Sequence, residues 1–488
     1  MKLYSTVFIT GFTILFLEII GSRLISPVYG NTIFVWSSLI GVTIASLALG
    51  YYLGGKFSQN NPNRIGYPII IGVMWIPLLL IFKEVLPMTT FMGVQLGSLA
   101  SSVILLAFPL TLLGMVTPVL IQLSKKEKGL ASGNIFAVGT IGSFFGAIIT
   151  GFILIPNVPI SYMLVTVPVF SMLIGGYWLS KQKSIIPVSI TVSPYAIIVL
   201  ISLMMVVPSA EAVIFETESL YGNIKVYDGF GNNRLLLVDN SLQSIVEKDG
   251  WTSNVPFASH MEFAYFINPS IDDALVLGLG SGALSEKLEN ELGATVTNIE
   301  IDQKIDEIAR EYFNYDGTTI ISDARYFMKT TDQKFDLILY DLARGDSFPI
   351  HLYTTEAFYD AKQILNPNGV LVIHLDGLID SKKINSIFKT LENNFDNVIL
   401  LNGGDSMLSA KVFFATDKNL NIIDIENQIN LSRHSNGMKH TYDNILQNKM
   451  IYEVNSGTIL SDDYNPMDIL QLESSIAWRE SSWGMLNE

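Results

Sequence analysis

The chain has no cysteine. That excludes disulfides, thiolate nucleophiles and cysteine-held metals, and leaves the redox compartment unmarked. Histidine is scarce too, and five residues without metal-ligand spacing argue against a metal centre. Charge is thin: Asp, Glu, Lys and Arg make up 15% of the 488 residues, where soluble proteins carry about 25%. Basic residues are the rarer kind, 30 against 45 acidic ones, and a net charge of −15 argues against a nucleic-acid partner.

Apolar side chains take the place of charge. They make up 49% of the chain, and nearly all the excess lies before residue 208, so two parts of different class are expected. Residues 5–25, 34–55, 66–83, 95–122, 131–155, 159–179 and 188–207 each approach the roughly 20 residues that cross a bilayer core. A cleavable signal peptide would not recur in this way, so residues 1–208 read as a multi-pass α-helical membrane domain of about seven helices. Small residues recur inside the spans, as between Leu47 and Gly55 and between Gly139 and Gly146, and let helix backbones approach closely in lipid. Glu18 and Arg23 fall in or near the first span. They read either as functional groups or as an arginine reaching the interface and a carboxylate paired with another helix.

Beyond residue 208 the pattern changes. Ile214–Glu218, Ile224–Asp228 and Arg234–Val238 alternate and are joined by turns, which predicts a small antiparallel β-lid over 209–255. A Rossmann-like α/β domain is expected over 256–420 and a helical extension over 421–488, with a helix near His260–Phe266 leading in. The central stretch is Ala274–Asp302. An apolar strand, Ala274–Leu277, runs into Gly278, Gly280 and Gly282, a helix opens at Ala283, and a second strand, Thr295–Ile299, ends on Glu300. Strand, glycine turn, helix, strand and acid at this spacing form a nucleoside-binding half-fold. Thr319–Asp323 and Phe335–Asp341 are further strands ending on acids, and Gly369–His374 follows a Pro-Asn-Gly turn. Val398–Leu401 and Lys411–Ala415 read as a closing antiparallel pair. Glu300, Asp323 and Asp341 thus converge beyond the carboxyl ends of three strands, where such sheets bind ligands.

Tyr221-Gly222, Val238-Asp-Asn-Ser-Leu-Gln243, Gly278-Leu-Gly-Ser-Gly282, Ile299-Glu-Ile-Asp302, Ser322-Asp-Ala324, Leu339-Tyr-Asp341 and Leu352–Tyr359 together resemble the spermidine synthase family, the polyamine aminopropyltransferases. The likeness covers most of 213–417. With Leu17–Arg23 and Leu113–Pro118 it is similar to the members fused to a membrane domain. The resemblance implies S-adenosylmethionine, or its decarboxylated form, as donor co-substrate. It implies that Gly278, Gly280 and Gly282 pack on the nucleoside, Glu300 holds the ribose hydroxyls, Asp323 accepts from the adenine amino group and Gln243 faces the sulfonium. Asp341 would be the catalytic base. Tyr221, His260, Glu262 and Tyr353 would fall on the acceptor side. Soluble members associate as dimers or tetramers, which implies a homodimer.

The acceptor side departs from the family pattern. A second acid is usual three residues after the catalytic one, and here Arg344 stands there, with Asp346 two residues on. His260, Met261 and Glu262 stand where Tyr-His-Glu is usual. Asp462 and Asp463, in Ser461–Pro466, could supply acid instead, or cap the helix expected at Met467.

Three readings stay open: aminopropyl transfer to an amine, methyl or other alkyl transfer to a membrane-associated or anionic acceptor suited to Arg344, and a non-catalytic nucleoside-binding transporter or sensor. The helices serve either as an anchor or as a packed bundle with its own binding site. Seven single crossings put Lys2, Lys56, Arg64, Lys125, Lys126, Lys128, Lys181 and Lys183 on one side, cytoplasmic by the positive-inside rule, and residues after 208 outside. The donor is made inside. A double crossing of Phe91–Ser124, broken near Pro109, would return the catalytic half to the cytoplasm but displace the later lysines.

Overall fold

A computed structural model describes residues 2–30, 32–181, 195, 197, 199, 213–229, 231–249, 252–253, 263–342, 348–404, 406, 409–420, 456–472, 474–475 and 477. The chain parts into two compact units, Met1–Ala210 with Thr217–Gly222 and Glu211–Glu216 with Asn223–Glu488.

The first unit is helical. Among the described residues, five helical stretches are long and apolar enough to cross a membrane: Lys2–Tyr29, Ile33–Asn60, Pro62–Leu123, Lys128–Asn157 and Ile160–Ser180. Threonines are tolerated in the first because the Thr6, Thr10 and Thr13 hydroxyls donate to carbonyls four residues back, at 2.9, 3.0 and 2.9 Å. The glycines of the fifth expected span bring backbones together. A Cβ on Gly142 would stand 2.1 Å from the Phe8 carbonyl oxygen, and one on Gly146 2.4 Å from that of Phe12. Arg23 donates to the Leu220 carbonyl within the same unit, and Glu18 is half-buried.

The third stretch is 62 residues long, about 93 Å if it were one straight helix and three times a bilayer core. It is broken by a 3₁₀ run, Lys83–Met92, that contains Pro87. A Cβ on Gly72 would meet Leu112 at 3.2 Å and the Pro109 carbonyl at 3.3 Å, so the two arms lie against each other. The separate spans expected at 66–83 and 95–122 are therefore both present. The break near Pro109 that a double crossing of Phe91–Ser124 needs is not: helical backbone runs from Gly93 through a wider turn at Val103–Ala107 into Phe108–Gly114 and on to Leu123. Pro109 follows directly on the wider turn at Val103–Ala107, and the helix continues through it. The span expected at 188–207 lies, but for Tyr195, Ile197 and Val199, outside the described residues.

In the second unit, β1 (Val213–Glu218), β2 (Asn223–Asp228), β3 (Asn233–Val238), β4 (Ser241–Glu247) and β5 (Thr252–Ser253) form one sheet in chain order. The last two were not foreseen as strands. The β3–β4 connection is Asp239-Asn240, with φ of 51° and 61°. This is the left-handed pair that a two-residue hairpin turn needs, and Asx residues tolerate it best after glycine. The sheet packs Ile224, Val226, Leu236 and Val246 against Ile305, Ile308 and Phe313 of the helix Gln303–Phe313.

The larger sheet has seven strands in the order β11-β12-β10-β9-β6-β7-β8. These are β6 (Asp273–Leu277), β7 (Thr295–Glu300), β8 (Thr318–Ile321), β9 (Phe335–Tyr340), β10 (Leu365–Asp376), β11 (Asn397–Asn402) and β12 (Ala410–Thr416). β6 to β10 pair in parallel, and β11 and β12 close the sheet antiparallel, as expected. Leu275, Leu277, Tyr340, Leu371 and Ile373 fill one face, and Ala274, Val276, Leu337, Leu339, Val370 and Val372 the other. Both faces are covered, which is why these strands read as continuous apolar runs. β10 starts before the Pro-Asn-Gly turn, which the sheet absorbs as a register shift between Leu365 and Val370. Of the helical extension, Met467–Leu470 is a helix, and most of 421–488 lies outside the described residues.

Candidate active site

Three parallel strands end together. The Asp341 N–H donates to the Leu277 carbonyl at 3.0 Å, and the Gly278 N–H to that of Ile299 at 2.8 Å. β9, β6 and β7 thereby stay in register one residue past their last ladder pairs, with Asp341, Gly278 and Glu300 side by side at the sheet's carboxyl edge.

Gly278 has φ of +95°, and a Cβ there would stand 2.1 Å from the Asp341 carbonyl oxygen. Gly282, at φ of +83°, would meet the Tyr315 ring at 2.4 Å. Two glycines of the turn are thus dictated by the fold itself, through backbone angle and close approach. Gly280 (φ +57°) faces only the Ser244 hydroxyl, at 2.9 Å. That hydroxyl, on β4, accepts from the Ser281 N–H at 3.2 Å, so the smaller sheet helps hold the glycine turn.

Both carboxylate oxygens of Glu300 accept backbone donors, Oε2 from Leu279 at 3.0 Å and Oε1 from Asp302 at 2.9 Å. Burial nevertheless pushes the Glu300 carboxyl up to about 7, with the two N–H groups opposing. Asp302 caps the following helix, accepting from Lys304 N at 3.0 Å.

Asp323 lies two residues past the end of β8 rather than on it. Its Oδ1 accepts from Tyr326 N at 2.9 Å and caps the helix Ala324–Thr330, and its Oδ2 stands 3.3 Å from His351 Nε2. Asp341 is half-buried. Burial pushes its carboxyl up, the nearby His374 draws it down, and Asp376 adds to the rise. Gln243, on β4, folds its Nε2 onto the carbonyls of Ser241 and Leu242, at 3.2 and 3.0 Å.

Tyr221 sits in a turn whose N–H donates to the Ser219 hydroxyl at 3.0 Å and which belongs to the first unit. Tyr353 is fully buried, edge-on to Tyr340, Phe348 and Phe358 with ring centroids 6.0, 5.8 and 6.5 Å away, and its hydroxyl has no hydrogen-bond partner among the described residues. It is a core ring in this structure, not a surface open to solvent. Asp462 is held by Arg325, with Nη1–Oδ1 and Nη2–Oδ2 both 2.7 Å, and by the Thr354 hydroxyl at 2.8 Å. The guanidinium holds its carboxyl below the usual range. The cap of the Met467 helix falls instead to Asn465, whose Oδ1 accepts from Met467 N at 3.0 Å. Asp463 is exposed. His260, Met261, Glu262, Arg344 and Asp346 lie outside the described residues.

Four residues near the strand ends escaped sequence reasoning: Ser244, His374, Asp376 and Lys383. His374 and Asp376 continue the row Val370–Val372 at every second residue of β10, a signal visible only once the strand is known to extend past His374. Lys383 is 2% exposed and donates to the Asp376 carbonyl and, at 2.7 Å, to the Ser474 hydroxyl.

Residues 259–399 match the spermine/spermidine synthase domain. A probable polyamine aminopropyl transferase of Bifidobacterium longum is 28% identical over 212 residues, 42% of this chain and 46% of that protein. The polyamine aminopropyltransferase of Thermococcus onnurineus is 26% identical over 196 residues, 38% of this chain and 68% of that one. The alignment thus spans under half of the Bifidobacterium relative. A probable spermidine synthase of Corynebacterium glutamicum superposes with a TM-score of 0.40 at 16% identity, over 55% of this chain and 95% of that one. Within the C-terminal half, then, residues 259–399 match a spermine/spermidine synthase domain, and the chain is similar there to polyamine aminopropyltransferases.

Proposed function

We propose that the second unit moves an aminopropyl group from decarboxylated S-adenosylmethionine to an amine, with Asp341 as base, and that the first unit attaches it to a membrane. One observation carries the reading: Glu300 and Asp341 flank the glycine turn at the ends of the two strands on either side of β6, held there by the Gly278 and Asp341 N–H bonds. A nucleoside whose ribose meets Glu300 then lays its sulfur side toward Asp341. Asp323 serves the adenine amino group, and the carbonyl oxygen of Gln243 is the atom suited to a sulfonium.

In the reaction, the acceptor nitrogen attacks the carbon next to S⁺. The C–N bond forms as the C–S bond breaks, and its electron pair stays on sulfur as a neutral thioether. The nitrogen's proton passes to the Asp341 carboxylate. The leaving group needs no proton, so alignment and one base carry most of the rate. A carboxyl raised by burial, as that of Asp341 is, is a stronger base than an ordinary aspartate so long as it is kept ionised.

The test is turnover by the full-length protein with each donor and 1,4-diaminobutane, products identified by mass spectrometry. Aminopropyl transfer that Asp341→Asn abolishes while 5′-methylthioadenosine still binds supports the reading. Methyl transfer from S-adenosylmethionine alone, or undiminished turnover by the variant, overturns it.

A further inference from the structure

His374 is placed beside Asp341 by the sheet. In the parallel β9–β10 ladder Tyr340 pairs with Ile373, so the next residues, Asp341 and His374, continue two neighbouring rows on the same face. The rows below them are Leu337–Leu339 and Val370–Val372, both in one core cluster. Asp376 follows on the His374 row, and its Oδ1 stands 3.5 Å from His374 Nε2. The two side chains are 12% and 22% exposed. On the other side of β10, Val412 of β12 pairs with His374 and brings no charge. Lys411 pairs with Leu375 on the opposite face, where it donates to the Gly404 and Ser409 carbonyls at 2.9 and 3.0 Å. Lys383 reaches the backbone of Asp376 from the helix Lys382–Glu392. Among the described residues, then, the groups that share the His374 face are Asp341 and Asp376.

We propose that His374, oriented by Asp376, is a positioning residue for Asp341: a cation at its flank that keeps it a carboxylate while the acceptor binds. The need is physical. A half-buried aspartate tends to hold its proton and so to fail as a base. A cation one strand away opposes that, and histidine is charged through the acid range in which a carboxylate titrates. Direct contact with the reacting atoms is not required of it. The inference rests on the aminopropyl-transfer reading and adds the residue that tunes its base.

The experiment is the pH profile of kcat/KM for full-length protein with decarboxylated S-adenosylmethionine and 1,4-diaminobutane. Loss of the cation raises the Asp341 pKa, so His374→Gln moves the acid limb upward by about one pH unit. His374→Lys, which keeps a positive charge, returns the limb at least halfway. Binding of 5′-methylthioadenosine by calorimetry shows that each variant is folded, and His374→Asn takes the place of a variant that is not. An acid limb unmoved in both neutral variants, or displaced equally by lysine, overturns the proposal. Wild-type protein without turnover would overturn the underlying reading instead, whereas wild-type turnover lost in Asp341→Asn, with an unmoved limb in His374→Gln, sinks this inference alone.

Discussion

The carbonyl oxygen of Asp341 lies where a side chain on Gly278 would have to be, 2.1 Å from its Cβ position. The glycine turn and the strand that leads to Asp341 are therefore fitted to each other. Gly278→Ala meets both a left-handed backbone and a backbone clash. The conformational term alone is about 1–3 kcal/mol, and the end of β9 must move as well. The expected result is a lower Tm together with loss of 5′-methylthioadenosine binding. An alanine variant with native Tm and native affinity would contradict the geometry.

Glu300 links pH to both binding and stability. Its carboxyl is pushed up to about 7 from an ordinary 4.5. Folded protein therefore holds a proton that the unfolded chain has released, and stability contributed by this group is lost as pH rises between those values. Glu300→Gln should accordingly gain Tm relative to wild type at pH 8 and not at pH 4. Accepting ribose hydroxyls favours the ionised form, so nucleoside affinity should strengthen as pH rises through about 7. Affinity flat from pH 5 to 9 in the wild type would remove Glu300 from the ribose.

Asp462 was weighed as an acceptor ligand, and the structure gives it to Arg325. Asp462→Asn should lower stability by about 1 kcal/mol, the scale of a partly exposed bidentate pair. The KM for the amine should stay within twofold of wild type. A tenfold rise in that KM without loss of Tm would restore Asp462 to the acceptor site.

The Tyr353 hydroxyl is buried among aromatic rings and has no hydrogen-bond partner among the described residues. Leaving such a group unsatisfied costs about 1–3 kcal/mol. Tyr353→Phe should therefore keep or raise the Tm of ligand-free protein. A fall of several degrees in thermal denaturation would show that the hydroxyl has a partner.

The strands of the nucleotide fold were legible because both faces of the larger sheet are covered, which leaves apolar runs such as Leu337–Leu339 flanked by glycine and acid. The helix Gln303–Phe313 is bounded locally too, since Asp302 caps it and Asn314 ends it in a left-handed conformation. The membrane-length helices were equally plain from composition, and the gap expected between 66–83 and 95–122 falls on the break at Lys83–Met92; that Pro109, unlike Pro87, lies in continuous helix only the structure shows.

Sequence by itself determined what is local: the apolar spans, the strand–glycine–helix–strand–acid unit, and the identities of Glu300 and Asp341 at strand ends. Each follows from a period, a cap or a backbone angle carried by neighbouring residues. Tertiary structure decided what is shared between distant segments. It set Gly278 against Asp341, gave Asp462 to Arg325, buried Tyr353 and brought His374 beside Asp341. The reason is that strand register, which no single strand encodes, fixes which side chains become neighbours.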